Sequence, residues 1–144
     1  MLSNSIHRLL RYNHTKFIKG FTLIEVMMTV VIIGILALIA YPSYIQYIIK
    51  SNRSAAQAQM LDIANRQQLF MLANRTYATK DNLTSSGYAL PKEVSSKYTY
   101  TIDIGVGSVP SYLIRFTPIP NSSQAADGDL TVNNYGVKTP ADKW

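Results

Sequence analysis

An α+β fold is expected, one long N-terminal helix followed by a small antiparallel sheet, and three observations predict it. From Val26 to Ile49, 24 consecutive positions carry no charge. From Ser54 to Ala73 the chain is rich in Ala, Gln, Leu and Met and has neither Gly nor Pro, so helix propensity stays high. Beyond residue 97, short segments alternate apolar and polar side chains, the period of a half-buried strand.

The helix should start near Thr22, whose hydroxyl can cap the first turn. Val26 to Ile39 is aliphatic on all faces, as in a helix buried in protein or in lipid, and the uncharged run meets the roughly 20 residues that span a bilayer. Gly34 and Pro42 interrupt it; Pro42 lacks a backbone donor and clashes with the preceding turn, so a bend is expected there. Further on, Met60, Ile63 and Phe70 fall on one face, with Leu61, Leu69 and Leu72 beside it and Gln59, Asp62 and Arg66 opposite. This half is amphipathic and needs a partner surface. The helix should stop near Asn74, which makes it roughly 80 Å long at about 1.5 Å per residue.

A connecting loop is expected over residues 77–96, with Gly87 and Pro91 as breakers. Strands follow over 97–104, 111–117 and 129–133, with a short fourth over 137–139. Tyr98, Tyr100, Ile102 and Ile104 share one parity, as do Tyr112, Ile114 and Phe116; these sets should face the helix. Short links between consecutive strands suggest a meander.

The formal net charge is +6. Arg8, Arg11, Lys16 and Lys19 precede the apolar run with no acid beside them. The excess charge is therefore mostly a topology signal: it holds the start of the chain in the cytoplasm and sends the rest outward. There is no cysteine, and both histidines, His7 and His14, precede the run. A zinc site and a cysteine or histidine catalytic set are thus not expected in the rest of the chain. No glycine-rich phosphate loop and no close pair of acids on a helix is present either, so neither an enzyme nor a cofactor is expected.

The junction Lys19-Gly20-Phe21-Thr22-Leu23-Ile24-Glu25 resembles the processing site of type IV prepilins: a basic leader ending in glycine, then phenylalanine, a glutamate four residues on, and a long apolar helix. An ordinary secretory signal is cut after its apolar region at a small-residue site; here a cut after Ala40 would put the large Leu38 three positions back. The resemblance implies cleavage between Gly20 and Phe21 by a prepilin peptidase, methylation of the new Phe21 amine, and pairing of Glu25 with the amine of a neighbouring subunit in the filament. A carboxylate in an apolar bundle needs a cation, which agrees with that role. The resemblance also implies that the helix loosens between Gly34 and Pro42 on assembly.

The implied organisation is a leader over 1–20, an apolar membrane and filament-core helix over 21–50, and a globular head over 51–144. Implied partners are other pilin subunits, the prepilin peptidase, the inner-membrane assembly platform and, before assembly, the inner membrane itself. Arg53-Ser54-Ala55-Ala56 and Gln68-Leu69-Phe70 with Tyr77 are similar to pilins as well. The tail from Gln124 to Trp144 resembles PilE-type minor pilins, which usually carry cysteines where this chain has Asp127 and Lys143. An Asp127–Lys143 ion pair is one expectation for closing this tail, two solvated charges another, and Trp144 a third candidate fastener.

The function implied is a structural subunit of a type IV pilus serving adhesion, twitching motility or DNA uptake. A type II secretion pseudopilin is the alternative, and such relatives can hold calcium in this region; Asp127-Gly128-Asp129 reads either as oxygen ligands for that ion or as an acidic turn. A DNA-binding competence pilin is a further alternative. It would need clustered cations, for which Arg75 and Lys80, Lys92 and Lys97, and Lys138 and Lys143 are the candidates.

Overall fold

The computed structural model describes residues 20–144. The expected leader, Gly20 excepted, lies outside the described residues. The chain divides into two units, one ending at Leu38 and one running Ile39–Trp144. One helix, α1 (Leu23–Asn74, 52 residues), contributes to both.

In the first unit α1 opens at the expected cap. The Glu25 amide donates to Thr22 Oγ1 at 3.3 Å, and the Thr29 hydroxyl donates to the Glu25 carbonyl at 2.7 Å. Every described residue of this unit is exposed, because no other described residue packs on this largely apolar surface. The helical assignment runs unbroken through Gly34 and Pro42.

In the second unit the amphipathic half of α1 packs on a four-stranded antiparallel sheet in the order β1-β2-β3-β4. The strands are β1 (Tyr98–Gly105), β2 (Ser111–Pro118), β3 (Leu130–Asn133) and β4 (Lys138–Thr139). Register puts Tyr100 opposite Phe116, Ile102 opposite Ile114, and Ile114 opposite Val132. With a side-chain period of two, this places all the apolar parity on one face. Tyr98, Ile114, Phe116, Leu130 and Val132 form the core with Ala56, Met60 and Ile63 of α1. Phe116 carries the aromatic centre: its ring lies 5.6 Å from that of Tyr100 at 30° and 6.4 Å from that of Tyr98.

One expectation needs correction. The stretch read as a loop contains two short helices, α2 (Lys80–Ser85) and α3 (Lys92–Ser95). α2 has a reciprocal cap, in which the Asn82 amide donates to Thr79 Oγ1 and the Thr79 amide to Asn82 Oδ1; one side-chain pair thus satisfies two orphan donors. Their buried Leu83 and Val94 join the core. Beside the apolar face, Leu69 and Leu72 are well exposed, because the sheet covers a narrow stripe of α1. The opposite face of α1 carries contacts of its own. Arg66 pairs with Asp62 at 3.0 Å and stacks 5.0 Å from the Tyr88 ring centroid, and the Tyr88 hydroxyl donates to Gln59 at 3.3 Å.

Candidate functional site: the apolar helix and the Asp127 clamp

Two regions carry chemistry, one in each unit. The first is the start of α1. Phe21 is 82 % exposed and Glu25 lies one turn further on, flanked by the exposed apolar residues Leu23, Ile24, Val26, Met27 and Met28. Glu25 is the only acid between Gly20 and Asp62. Among the described residues one helix, α1, is long and apolar enough to cross a membrane, and none of them buries its apolar window.

The second region fastens the C-terminal segment to α1. Gly128, at φ 72° and ψ 179°, takes a backbone conformation essentially closed to other residues, and this turn carries Asp127 inward before β3 begins. The Asp127 side chain is 1 % exposed. Its carboxylate accepts from Arg53 Nε at 3.0 Å and from Arg53 Nη2, and from the Tyr98 hydroxyl at 2.8 Å. The buried Gln124 amide nitrogen lies within reach of the Tyr98 hydroxyl, the Asp127 carboxylate and the Ile49 carbonyl, three acceptors for two N–H groups. Asn52 donates to Gln124 Oε1 at 3.1 Å. Burial by itself would raise the Asp127 pKa. The hydrogen bonds from Arg53, Tyr98 and Gln124 outweigh it and hold the carboxyl below the usual carboxylate range. The Tyr98 hydroxyl is pushed up, first by burial and then by its bond to Asp127. Arg53 is raised as well, chiefly by its hydrogen bond to Asp127.

Asp127 and Lys143 are brought together, but not as an ion pair. The Lys143 ammonium donates to the Asp127 backbone carbonyl, while the carboxylate is taken by Arg53. The planar guanidinium meets a buried carboxylate with two donors at once, which an ammonium cannot match. Lys143 is held in turn, since its carbonyl accepts from Gln57 Nε2 at 2.6 Å. Trp144 packs against the core with Lys138 Nζ 4.7 Å from its ring centroid. Asp129, the other acid of the supposed calcium turn, pairs with Arg115 at 3.3 Å. Both carboxylates therefore face arginines.

Two participants escaped the sequence reading. Arg53 stood out only through a resemblance, with its partner 74 residues away. Gln67 is fully buried and exchanges two bonds with the Ala78 backbone, accepting from its N–H at 2.7 Å and donating to its carbonyl at 2.6 Å. Of the candidate DNA-facing cations, Lys80 lies over the Tyr100 ring and donates to the Tyr100 carbonyl. Arg75, Lys92 and Lys138 are exposed.

A long helix with an uncovered apolar start, closed onto a small antiparallel sheet whose C-terminal segment is clamped back to it, is the architecture of a pilin-like α+β protein. A family model described as "Type IV minor pilin ComP, DNA uptake sequence receptor" matches residues 42–131, and one for the prokaryotic N-terminal methylation motif matches residues 16–41. The chain belongs to this type IV minor pilin family. It is 32 % identical over 102 residues to the type IV major pilin protein PilA of Myxococcus xanthus, covering 71 % of this chain and 44 % of that one. It is 32 % identical over 95 residues to a fimbrial protein of Neisseria meningitidis serogroup B, 66 % of this chain and 55 % of the relative. Over 38 residues it is 58 % identical to fimbrial protein EcpC of Eikenella corrodens, 26 % of this chain and 25 % of the relative. The chain spans about half the length of the first two.

Proposed function

We propose that this protein is a structural subunit of a type IV pilus, cut after Gly20, methylated at Phe21, and assembled with other pilin subunits through the apolar half of α1. The observation that carries this is the apolar surface from Phe21 to Ala40, which no other described residue covers and which lies within the match to the methylation motif. Before assembly that surface sits in the inner membrane, with the leader in the cytoplasm. A prepilin peptidase removes the leader, and an inner-membrane platform adds the subunit to the filament base. Glu25 supplies the charge that selects the site of addition. A lone carboxylate at the centre of an apolar bundle costs about 2.5–3.5 kcal/mol on insertion scales, and a neighbour's Phe21 amine removes that cost. The experiment is Glu25→Ala in the full chain: the protein is made, inserted and cut, yet is missing from sheared filaments. Normal incorporation would show that the charge is merely tolerated.

A second reading, that the globular unit binds DNA, is supported by the description of the family matched over residues 42–131. The charge pattern supports it less. Arg53 is held by Asp127 and Lys80 donates to the Tyr100 carbonyl; of the candidate cations, Arg75, Lys80, Lys92 and Lys138 are exposed. A gel shift with the globular unit and its salt slope tests this reading, since a DNA-bound protein loses affinity steeply as salt rises.

A further inference from the structure

Past Ala40, α1 changes character before any charge appears. Tyr41, Tyr44 and Tyr47 are 70 %, 62 % and 71 % exposed. Ser43 and Gln46 stand between them, and the first cation, Lys50, follows and is exposed. At 3.6 residues per turn the three rings leave the helix over roughly 120° of its circumference. Phe21 to Ala40 is 20 residues, about 30 Å of helix, the thickness of a bilayer's hydrocarbon core. Tyr41 to Tyr47 then covers a further ~9 Å, the depth over which hydrocarbon gives way to headgroups. A tyrosine suits that zone because its ring is apolar and its hydroxyl needs a partner. Lys50 falls beyond it, in water.

We propose that Tyr41, Tyr44 and Tyr47 are the interfacial anchor of the stored subunit: they dock onto the outward-facing headgroup layer of a lipid bilayer and set how deep α1 sits. The proposal rests on the membrane-stored pilin reading and adds the residues that fix its depth. With the anchor in place Ser51, Asn52 and Arg53 stay in water, so the Arg53–Asp127 clamp closes clear of the lipid. Without the three hydroxyls the apolar segment lengthens and the helix sinks.

The absence of cysteine makes the test direct. Single cysteines at Ala37, Ser43, Gln46 and Ser51 in the full chain are exposed, in the membrane fraction, to a maleimide that cannot cross the inner membrane. Ser51→Cys reacts, Ala37→Cys does not, and Gln46→Cys reacts at an intermediate rate. Combining Gln46→Cys with Phe at all three tyrosines lowers its labelling at least about 5-fold, while Trp at all three, which keeps an interfacial N–H, restores it. Equal labelling in the Phe and Tyr backgrounds overturns the anchor. Dependence on the tyrosines that appears only in sheared filaments, and not in membranes, also overturns it and assigns the rings to a neighbouring subunit. If Ala37→Cys labels as readily as Ser51→Cys, the helix is not in a bilayer at all, and the membrane-stored reading fails with the anchor.

Discussion

Replacing Asp127 by alanine should open the clamp and strongly destabilise the globular unit. The substitution removes the acceptor for two Arg53 donors and for the Tyr98 hydroxyl, and one of the acceptors within reach of Gln124. Tyr98 and Gln124 are 1 % and 0 % exposed, so their polar atoms gain little water in exchange. Removing one partner of a buried pair costs about 3–5 kcal/mol. The Arg53 side chain keeps 19 % of its surface and can rehydrate in part, which moves the expected loss to about 3 kcal/mol. The assay is urea unfolding of a fragment beginning at Ile45, which keeps Ile49, Asn52 and Arg53 with their partners. Double-mutant cycles sharpen it. Arg53→Ala with Asp127→Ala should show a coupling of about 2 kcal/mol or more. Lys143→Ala with Asp127→Ala should show almost none, because Lys143 bonds to the main-chain carbonyl that alanine retains. A loss below about 1 kcal/mol for Asp127→Ala, the range of an exposed ion pair, or a larger coupling to Lys143 than to Arg53, would refute the clamp.

The same fragment carries the other stability predictions. Gln67→Leu keeps the volume but strands the Ala78 N–H and carbonyl, and should cost about 2–4 kcal/mol by urea titration; a neutral result would mean that water reaches Ala78. Stability should also fall at both ends of the pH scale. Folded Asp127 binds its proton less readily than the unfolded chain, whose aspartates titrate near about 3.9. The stability it contributes is therefore complete above that value and lost as the pH falls through its lower folded pKa. Tyr88 and Tyr98 are raised chiefly by burial. The stability they contribute is intact below about pH 10 and lost as the pH rises toward their folded pKa values. A pH–stability profile of the Asp127→Asn fragment should lose the acid limb and keep the alkaline one.

The long-range plan of the fold was legible because it rests on period. Twenty residues without Gly or Pro after Arg53 and the two-residue alternation around Tyr100 and Ile114 each admit one element type, and α1, β1 and β2 follow them closely. α2 and α3 were not legible, since six and four residues are too few to show a helical period. The cap Thr79…Asn82 was a signal that could have found α2. Gln67 reads as a surface residue in any propensity argument; only the return of the chain at Ala78 gives it a reason to be buried. The clamp was half legible. The tail resemblance drew attention to Asp127, Lys143 and Trp144 and put the first two where relatives carry cysteines, so opposite charge suggested an ion pair beside the reading of two solvated charges. What decides the pairing is burial, which favours the two-pronged guanidinium of a residue on α1. Nothing in the local sequence around Asp127 points across 74 positions to Arg53.

The central claim is that α1, from its first residue, is the filament-forming part of a processed pilin. The most direct measurement is the mass of the protein recovered from sheared surface filaments of the organism that makes it. The expected chain begins at Phe21 with a methylated amine and retains the whole of α1. A chain that still carries its leader, one that begins at Tyr41 after the apolar run, or a filament fraction from which the protein is missing would contradict it.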